Sequence, residues 1–165
     1  MFNKTEYILI KTDQEYAISY ANQTFIDLIG QSEEQLLGQN FDEVWKPETP
    51  SAIRRYGFSR LAKQNFYNGY APYRCNKDSK KLQWIFFDFG KRYSLDGEWR
   101  GYEYFGYPPS QRGVDHFDNL FSELAELERN QSNNEGAEAA DQFLQQHIRS
   151  MGSSYEELVC TLQDL

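Results

Sequence analysis

The stretch Thr12–Gln39, TDQEYAISYANQTFIDLIGQSEEQLLGQ, decides how the rest of the chain is read. Thr12-Asp13-Gln14-Glu15 is a turn signal between two β-rich runs, Tyr7–Lys11 and Tyr16–Ala21, which together predict a hairpin. Asn22 caps a helix whose apolar side is Phe25, Leu28 and Ile29, and Gly30 ends it. Ser32 opens a second helix as Ser-x-x-Gln, with Glu33 and Glu34 in the first turn and Gly38 as the stop. A chain built only for packing would fuse two such short helices. Breaking them with glycine lets them wrap around something.

Working outward, Phe41–Pro50 is a loop punctuated by Pro47 and Pro50. Ser51 is the expected N-cap of a longer helix carrying Ile53, Tyr56 and Leu61 on one side, weakened at Gly57. The period then changes. GYAPYRC, KLQWIFFDFGKRY and EWRGYEYFGY are aromatic runs separated by turn residues, which predicts three antiparallel strands with Pro72 at an edge. From Val114 onward the pattern becomes helical. Phe117, Leu120, Phe121, Leu124 and Leu127 recur at helical spacing, a second helix follows QSNNEG, and a third opens with Ser153 and Glu156 as a capping box. Its stripe is Leu158, Val159, Leu162 and Leu165.

The chain has 165 residues, 16% of them aromatic, and a net charge of -8 with a sequence pI of about 4.8. That charge argues against nucleic acid and anionic lipid as partners. Cys75 and Cys160 are far apart in no metal-ligand spacing, which reads as a reduced, cytoplasmic protein. No apolar run has the length of a signal peptide or a membrane span.

The order of two strands, two short helices, a loop, a longer helix and three long strands resembles the PAS sensor domain. The resemblance implies an α+β fold: a five-stranded antiparallel sheet with short helices over one face, enclosing a small cavity. It also implies a division into a PAS segment, 1–112, and a C-terminal helical extension, 113–165. The turn, the strand ending in Ala21-Asn22, then Phe25, Gly30 and Leu36-Leu37-Gly38 look like the opening pattern of the family. VWKPETP, NGY after the long helix, a Trp-bearing strand and GYEYFGYPPS look most like the flavin-binding PAS of bacterial aerotaxis receptors. In those receptors the loop reads Val-Arg-His-Pro-Asp-Met-Pro and its polar residues help hold FAD. Here Trp45 and Lys46 stand where Arg and His are found, and Phe66-Tyr67 matches a Pro-Trp.

The candidate cofactor-binding residues are therefore Asn22, Trp45, Lys46, Tyr67, Phe87 and Glu103. Asn22 reads either as a helix cap or as a ligand contact. Trp45 reads as a pocket wall or as a staple for its loop. Tyr67 reads as a stacking partner or as ordinary packing. Side chains alternate along a strand. By family register Ile85, Phe87 and Phe89 face the cavity with Glu103 and Phe105, while Trp84, Phe86, Asp88, Tyr102 and Tyr104 face out. A register offset of one would swap the sets. Aromatic rings on the outer face require a cover, and residues 114–165 are expected to supply it, in the same chain or across a dimer.

Other chemistries fit poorly. Light-sensing relatives use a Cys in an Asn-Cys-Arg-Phe-Leu helix motif, whereas Cys75 lies in a predicted strand. His116 and His147 lie beyond the PAS segment, so neither a haem ligand from the cavity wall nor a metal set is expected. No phosphate loop or nucleophile motif supports an enzyme. Two functions stay open. One is a cytoplasmic sensor that holds FAD or another small molecule and signals through its sheet face and C-terminal helices to a separate protein. The other is a ligand-free interaction module, a homodimer whose aromatic core is filled.

Overall fold

The computed structural model describes residues 6–74, 82–130, 134–152 and 154–163. Five strands form one antiparallel sheet in the order β2-β1-β5-β4-β3. They are β1 (Ile8–Thr12), β2 (Ile18–Ala21), β3 (Phe66–Tyr73), β4 (Gln83–Tyr93) and β5 (Trp99–Tyr107). Between β2 and β3 come α1 (Gln23–Ile29), α2 (Glu33–Leu36), α3 (Phe41–Val44) and α4 (Ser51–Gln64). After β5 come α5 (Gln111–Asn130), α6 (Asn134–Ser150) and α7 (Tyr155–Leu162).

Local chemistry sets the first half. The Asp13 carboxylate accepts from the backbone N–H groups of Glu15 and Ala17, each at 2.9 Å, and closes the β1–β2 turn. The Asn22 side-chain oxygen accepts from Phe25 N and also from Leu9 N, and its amide donates to the Tyr7 carbonyl. One side chain thus caps α1 and bolts it to β1. Gly30, at φ 71°, ends α1 in the left-handed region. Ser32 and Gln35 complete the capping box of α2.

Three expectations change. Phe41–Val44 is a helical turn rather than loop, because the Asn40 side chain accepts from Asp42 N. Ser51 does not cap α4. The first N–H groups of that helix, Ser51 and Ala52, donate instead to the Glu128 carboxylate on α5, at 3.1 and 2.8 Å. Gly57 does not break α4. A Cβ there would sit 2.5 Å from the Tyr67 ring, so the glycine lets helix and strand approach.

Helices α5 and α7 pack on the outer sheet face within the same chain, while α6 packs against α5 and α4. Phe117 stacks on Tyr70 at 4.8 Å and Phe121 meets Trp84 at 5.5 Å. Gly113 lies so close to Tyr70 that a Cβ would overlap its ring, at 2.1 Å. Tyr155, Leu158, Val159 and Leu162 of α7 are buried in the same core as the sheet. The Gln163 carboxamide accepts from the Tyr70 hydroxyl at 2.7 Å and from Ser110 N at 3.0 Å, tying the end of α7 to the β5–α5 connection. The capping box of α7 is Ser154 with Glu157, one residue beyond the expected pair; Ser153 and Leu165 lie outside the described residues.

The register of β5 is the main correction. Tyr104 pairs across from Phe89 and stacks on Phe87 at 5.3 Å, while Tyr102 stacks on Phe89 at 5.5 Å. Both tyrosines therefore face the α1–α4 side. Glu103 faces the opposite side, where it pairs with Lys11 at 3.4 Å, and Phe105 shares that face. The β4 assignment stands: Phe87 and Phe89 face inward, and Trp84 and Phe86 face the C-terminal helices.

Candidate functional site

The inner face of the sheet and the α3–α4 segment enclose a cavity of about 360 Å³. Its floor is aromatic. Phe87 and Tyr104 are stacked, Tyr67 meets Phe87 edge-on at 5.5 Å, and Trp45 lies 6.0 Å from Tyr104. Gly57, Leu61 and Ala71 complete the apolar wall. The mouth is polar. Asp42, Lys46 and Arg54 line it, together with the half-exposed Phe58.

Each wall has a local cause. Trp45 follows the single turn of α3, and its backbone N–H donates to the Phe41 carbonyl at 2.8 Å. That turn drives the indole inward against Phe25 and Tyr73, where it is 7% exposed. Arg54, Gly57, Phe58 and Leu61 follow an i, i+3, i+4, i+7 pattern, one face of α4, and all four line the cavity. The register of β4 against β5 brings Phe87 and Tyr104 to the same face.

Two polar atoms in this lining stand out. Among the described residues, Trp45 Nε1 and the Tyr104 hydroxyl are buried without a hydrogen-bond partner. An unmet buried donor costs about 1–3 kcal/mol, so such groups call for a reason. Burial also pushes the Tyr104 phenol far above its ordinary value, with the neighbouring Trp45 indole acting against the rise. Burial likewise raises the Tyr67 phenol, opposed by its hydrogen bond to Tyr155. Both hydroxyls are therefore neutral at ordinary pH. At the rim Asp42 remains partly open to solvent, yet crowding pushes its carboxyl up, with Arg54 opposing. Neither Lys46 nor Arg54 has an ion-pair partner among the described residues.

Of the residues expected from sequence, Trp45, Lys46, Tyr67 and Phe87 meet at this cavity. Asn22 does not line it, because its amide is consumed in capping α1 and holding β1. Glu103 is on the far side of the sheet. Tyr104, Arg54, Asp42 and Phe58 were missed. The four-residue face of α4 was a legible signal for Arg54 and Phe58. Cys75 lies outside the described residues, and Cys160 sits on α7, 3.8 Å from the Asn68 amide on the other side of the sheet.

No protein-family model matches the sequence, and no curated protein matches it. Solved structures do match. The light-state structure of the blue-light photoreceptor Aureochrome1 LOV superposes with a TM-score of 0.50 at 19% identity, covering 74% of this chain and 92% of that one. The PAS domain of a protein from Colwellia psychrerythraea matches with a TM-score of 0.48 at 20% identity, over 62% of this chain and 85% of that one. A sensory box sensor histidine kinase from Vibrio cholerae matches with a TM-score of 0.45 at 16% identity, covering 63% and 82%. The chain has the PAS fold. The cavity under α3 and α4 is thus the space between the helices and the sheet of this fold. Among the described residues no helix is long and apolar enough to cross a membrane, and no group of three or more His, Cys, Asp or Glu is placed to hold a metal ion.

Proposed function

We propose that this PAS domain is a cytoplasmic sensor that takes a small molecule into the cavity and transmits its occupancy to the C-terminal helices. The observation that carries the reading is the cavity itself. Its rings stack on one another, yet they leave about 360 Å³ unfilled, with two buried polar groups unmet. That volume is within the usual range for ligand sites. The filled-core alternative, a ligand-free interaction module, requires that space to be closed.

Tyr67 supports the output route. Its ring lines the cavity, and its hydroxyl lies 3.3 Å from that of Tyr155 at the start of α7. The two rings stack at 5.9 Å. Tyr155 also contacts Tyr56 of α4 and Phe117 of α5. A ligand that moves Tyr67 must therefore repack the helices beyond it. The receiver is a separate signalling protein or a second copy of the chain. A sensing role rather than catalysis accords with the lining, whose titratable groups are Asp42, Lys46, Arg54 and the two neutral phenols.

A flavin meets these walls in part. Its flat ring suits Phe87, Tyr104 and Trp45, and Lys46 and Arg54 could meet a phosphate. The enclosed volume equals roughly a dozen liquid-water volumes at about 30 Å³ each. That suits one ring system, so the adenosine half of FAD would have to lie outside the mouth. Native mass spectrometry of the freshly purified chain, with an optical spectrum, tests the sensor reading. An adduct released on denaturation, whose removal alters hydrogen exchange over 155–163, is expected. A bare chain whose α7 protection is indifferent to every added ligand overturns it.

A further inference from the structure

We infer that the cavity selects a small, flat, apolar-bodied anion that carries a hydrogen-bond acceptor at the end remote from its charge. The inference rests on the sensor reading above and names its ligand class.

The floor defines the inner end. Trp45 Nε1 can only donate, and the Tyr104 hydroxyl can donate or accept. Both are buried, at 7% and 5% residue exposure, and neither has a partner at hydrogen-bond geometry among the described residues, although the indole lies close enough to the phenol to act on it. Both rings line the cavity, so a ligand oxygen that reaches between them satisfies two groups at once. A purely hydrocarbon ligand would leave both unmet and would seal them further from water. A cationic or amino inner end would face the indole N–H without accepting from it.

The rim defines the outer end. Lys46 and Arg54 line the mouth with no ion-pair partner among the described residues. Asp42 is the one acid beside them in the lining; it is exposed and feels the charge of Arg54. The whole chain carries -8. Two cations against one acid at the mouth of an acidic protein are a local inversion of sign, which favours entry of an anion. Arg54 also offers a planar fork that suits a carboxylate.

Between the two ends the walls are flat. The Phe87–Tyr104 stack is within 14° of parallel, and Tyr67 closes one side with its ring edge-on to Phe87. The volume admits one or two fused rings. An aromatic carboxylate bearing a distal hydroxyl or carbonyl meets all three requirements.

The probe is 6-hydroxy-2-naphthoate, titrated by calorimetry into the full chain stripped of any adduct. Its two halves are dissected with 2-naphthol, which lacks the carboxylate, and 2-naphthoate, which lacks the inner oxygen. The parent should bind about tenfold more tightly than either. Arg54→Gln, at an exposed position, should erase the advantage over 2-naphthol and leave 2-naphthol itself unaffected. Trp45→Phe, which keeps the ring, should erase the advantage over 2-naphthoate. If 2-naphthol binds as tightly as the parent, or Arg54→Gln changes nothing, the anion assignment is wrong while the sensor stands. If none of the three binds but a native adduct is found, the ligand class is wrong and the sensor stands. If none binds and the purified chain is bare, both fall.

Discussion

The Glu128 carboxylate should hold α4 in place, and Glu128→Ala measures how much. In the native chain the carboxylate accepts from Ser51 N and Ala52 N at 3.1 and 2.8 Å. No side chain of the local sequence replaces it, since Pro50 stands at the N-cap and offers no hydrogen bond. Losing a side-chain N-cap costs about 0.5–2 kcal/mol. A negative charge near a helix N-terminus adds about 0.3–1 kcal/mol. The site is half-buried, so water can partly replace the carboxylate and the sum stays near 1–2 kcal/mol. For a chain of this size that corresponds to roughly 2–8 °C in Tm. Thermal and urea unfolding of Glu128→Ala, Glu128→Gln and an exposed control, Glu123→Ala, decide the matter. Glu128→Gln should fall between the native chain and Glu128→Ala, because one oxygen remains to accept. Because the cap comes from α5, hydrogen exchange should quicken at the start of α4 in the variant. A Glu128→Ala variant as stable as Glu123→Ala, with unchanged exchange over 51–54, would refute the reasoning.

Truncation after Ser110 should uncover Tyr70, Trp84 and Phe86, each large ring contributing about 1.5–3 kcal/mol when fully buried; the shortened chain should bind a hydrophobic dye and aggregate, and a stable monomer without dye binding would contradict this. Gly57→Ala forces a methyl group against the Tyr67 ring and should destabilise by about 1–3 kcal/mol, shifting the near-ultraviolet circular dichroism of the aromatic cluster. His116 lies with its Nε2 3.1 Å from that of His147, and burial first, then His147 and Arg112, lower its pKa. The unfolded chain therefore binds more protons than the folded one below about pH 6.5, so stability should hold above that pH and fall as the pH drops through it. His116→Gln should flatten the dependence of urea midpoint on pH between about 7 and 5; an unchanged slope would show that the pair is not its source. Asp88 faces the outer sheet side half-buried, with its carboxyl pushed up by desolvation. The penalty is present while it is ionised and relieved as the pH falls, so Asp88→Asn should raise stability at pH 7 by at most about 1 kcal/mol, read as a higher urea midpoint.

Much was legible because it is local. The Asp13 turn, the Asn22 cap, the Ser32–Gln35 box and Gly30 act within a few residues, so residue type and spacing determine them. The helical stripe of α5 and the change to period two in β4 are equally local, and the order of elements carried the resemblance that implied a five-stranded sheet with helices on one face. Trp45, Lys46, Tyr67 and Phe87 came from that resemblance and converge on one cavity. The register of β5 could not be read this way. Tyr102, Tyr104, Phe105 and Tyr107 are aromatic on both faces, so the alternation of polarity that normally orients a strand is absent, and only pairing with Phe89 and Lys11 decides it. That pairing sent Glu103 outward and put the Tyr104 ring against the cavity. The cap on α4 was hidden for a related reason, since Glu128 lies 77 positions from Ser51 and looks like any other acid on a solvated helix. Residue type and spacing determine which elements form; contacts between residues far apart in the chain determine which side chains share the cavity.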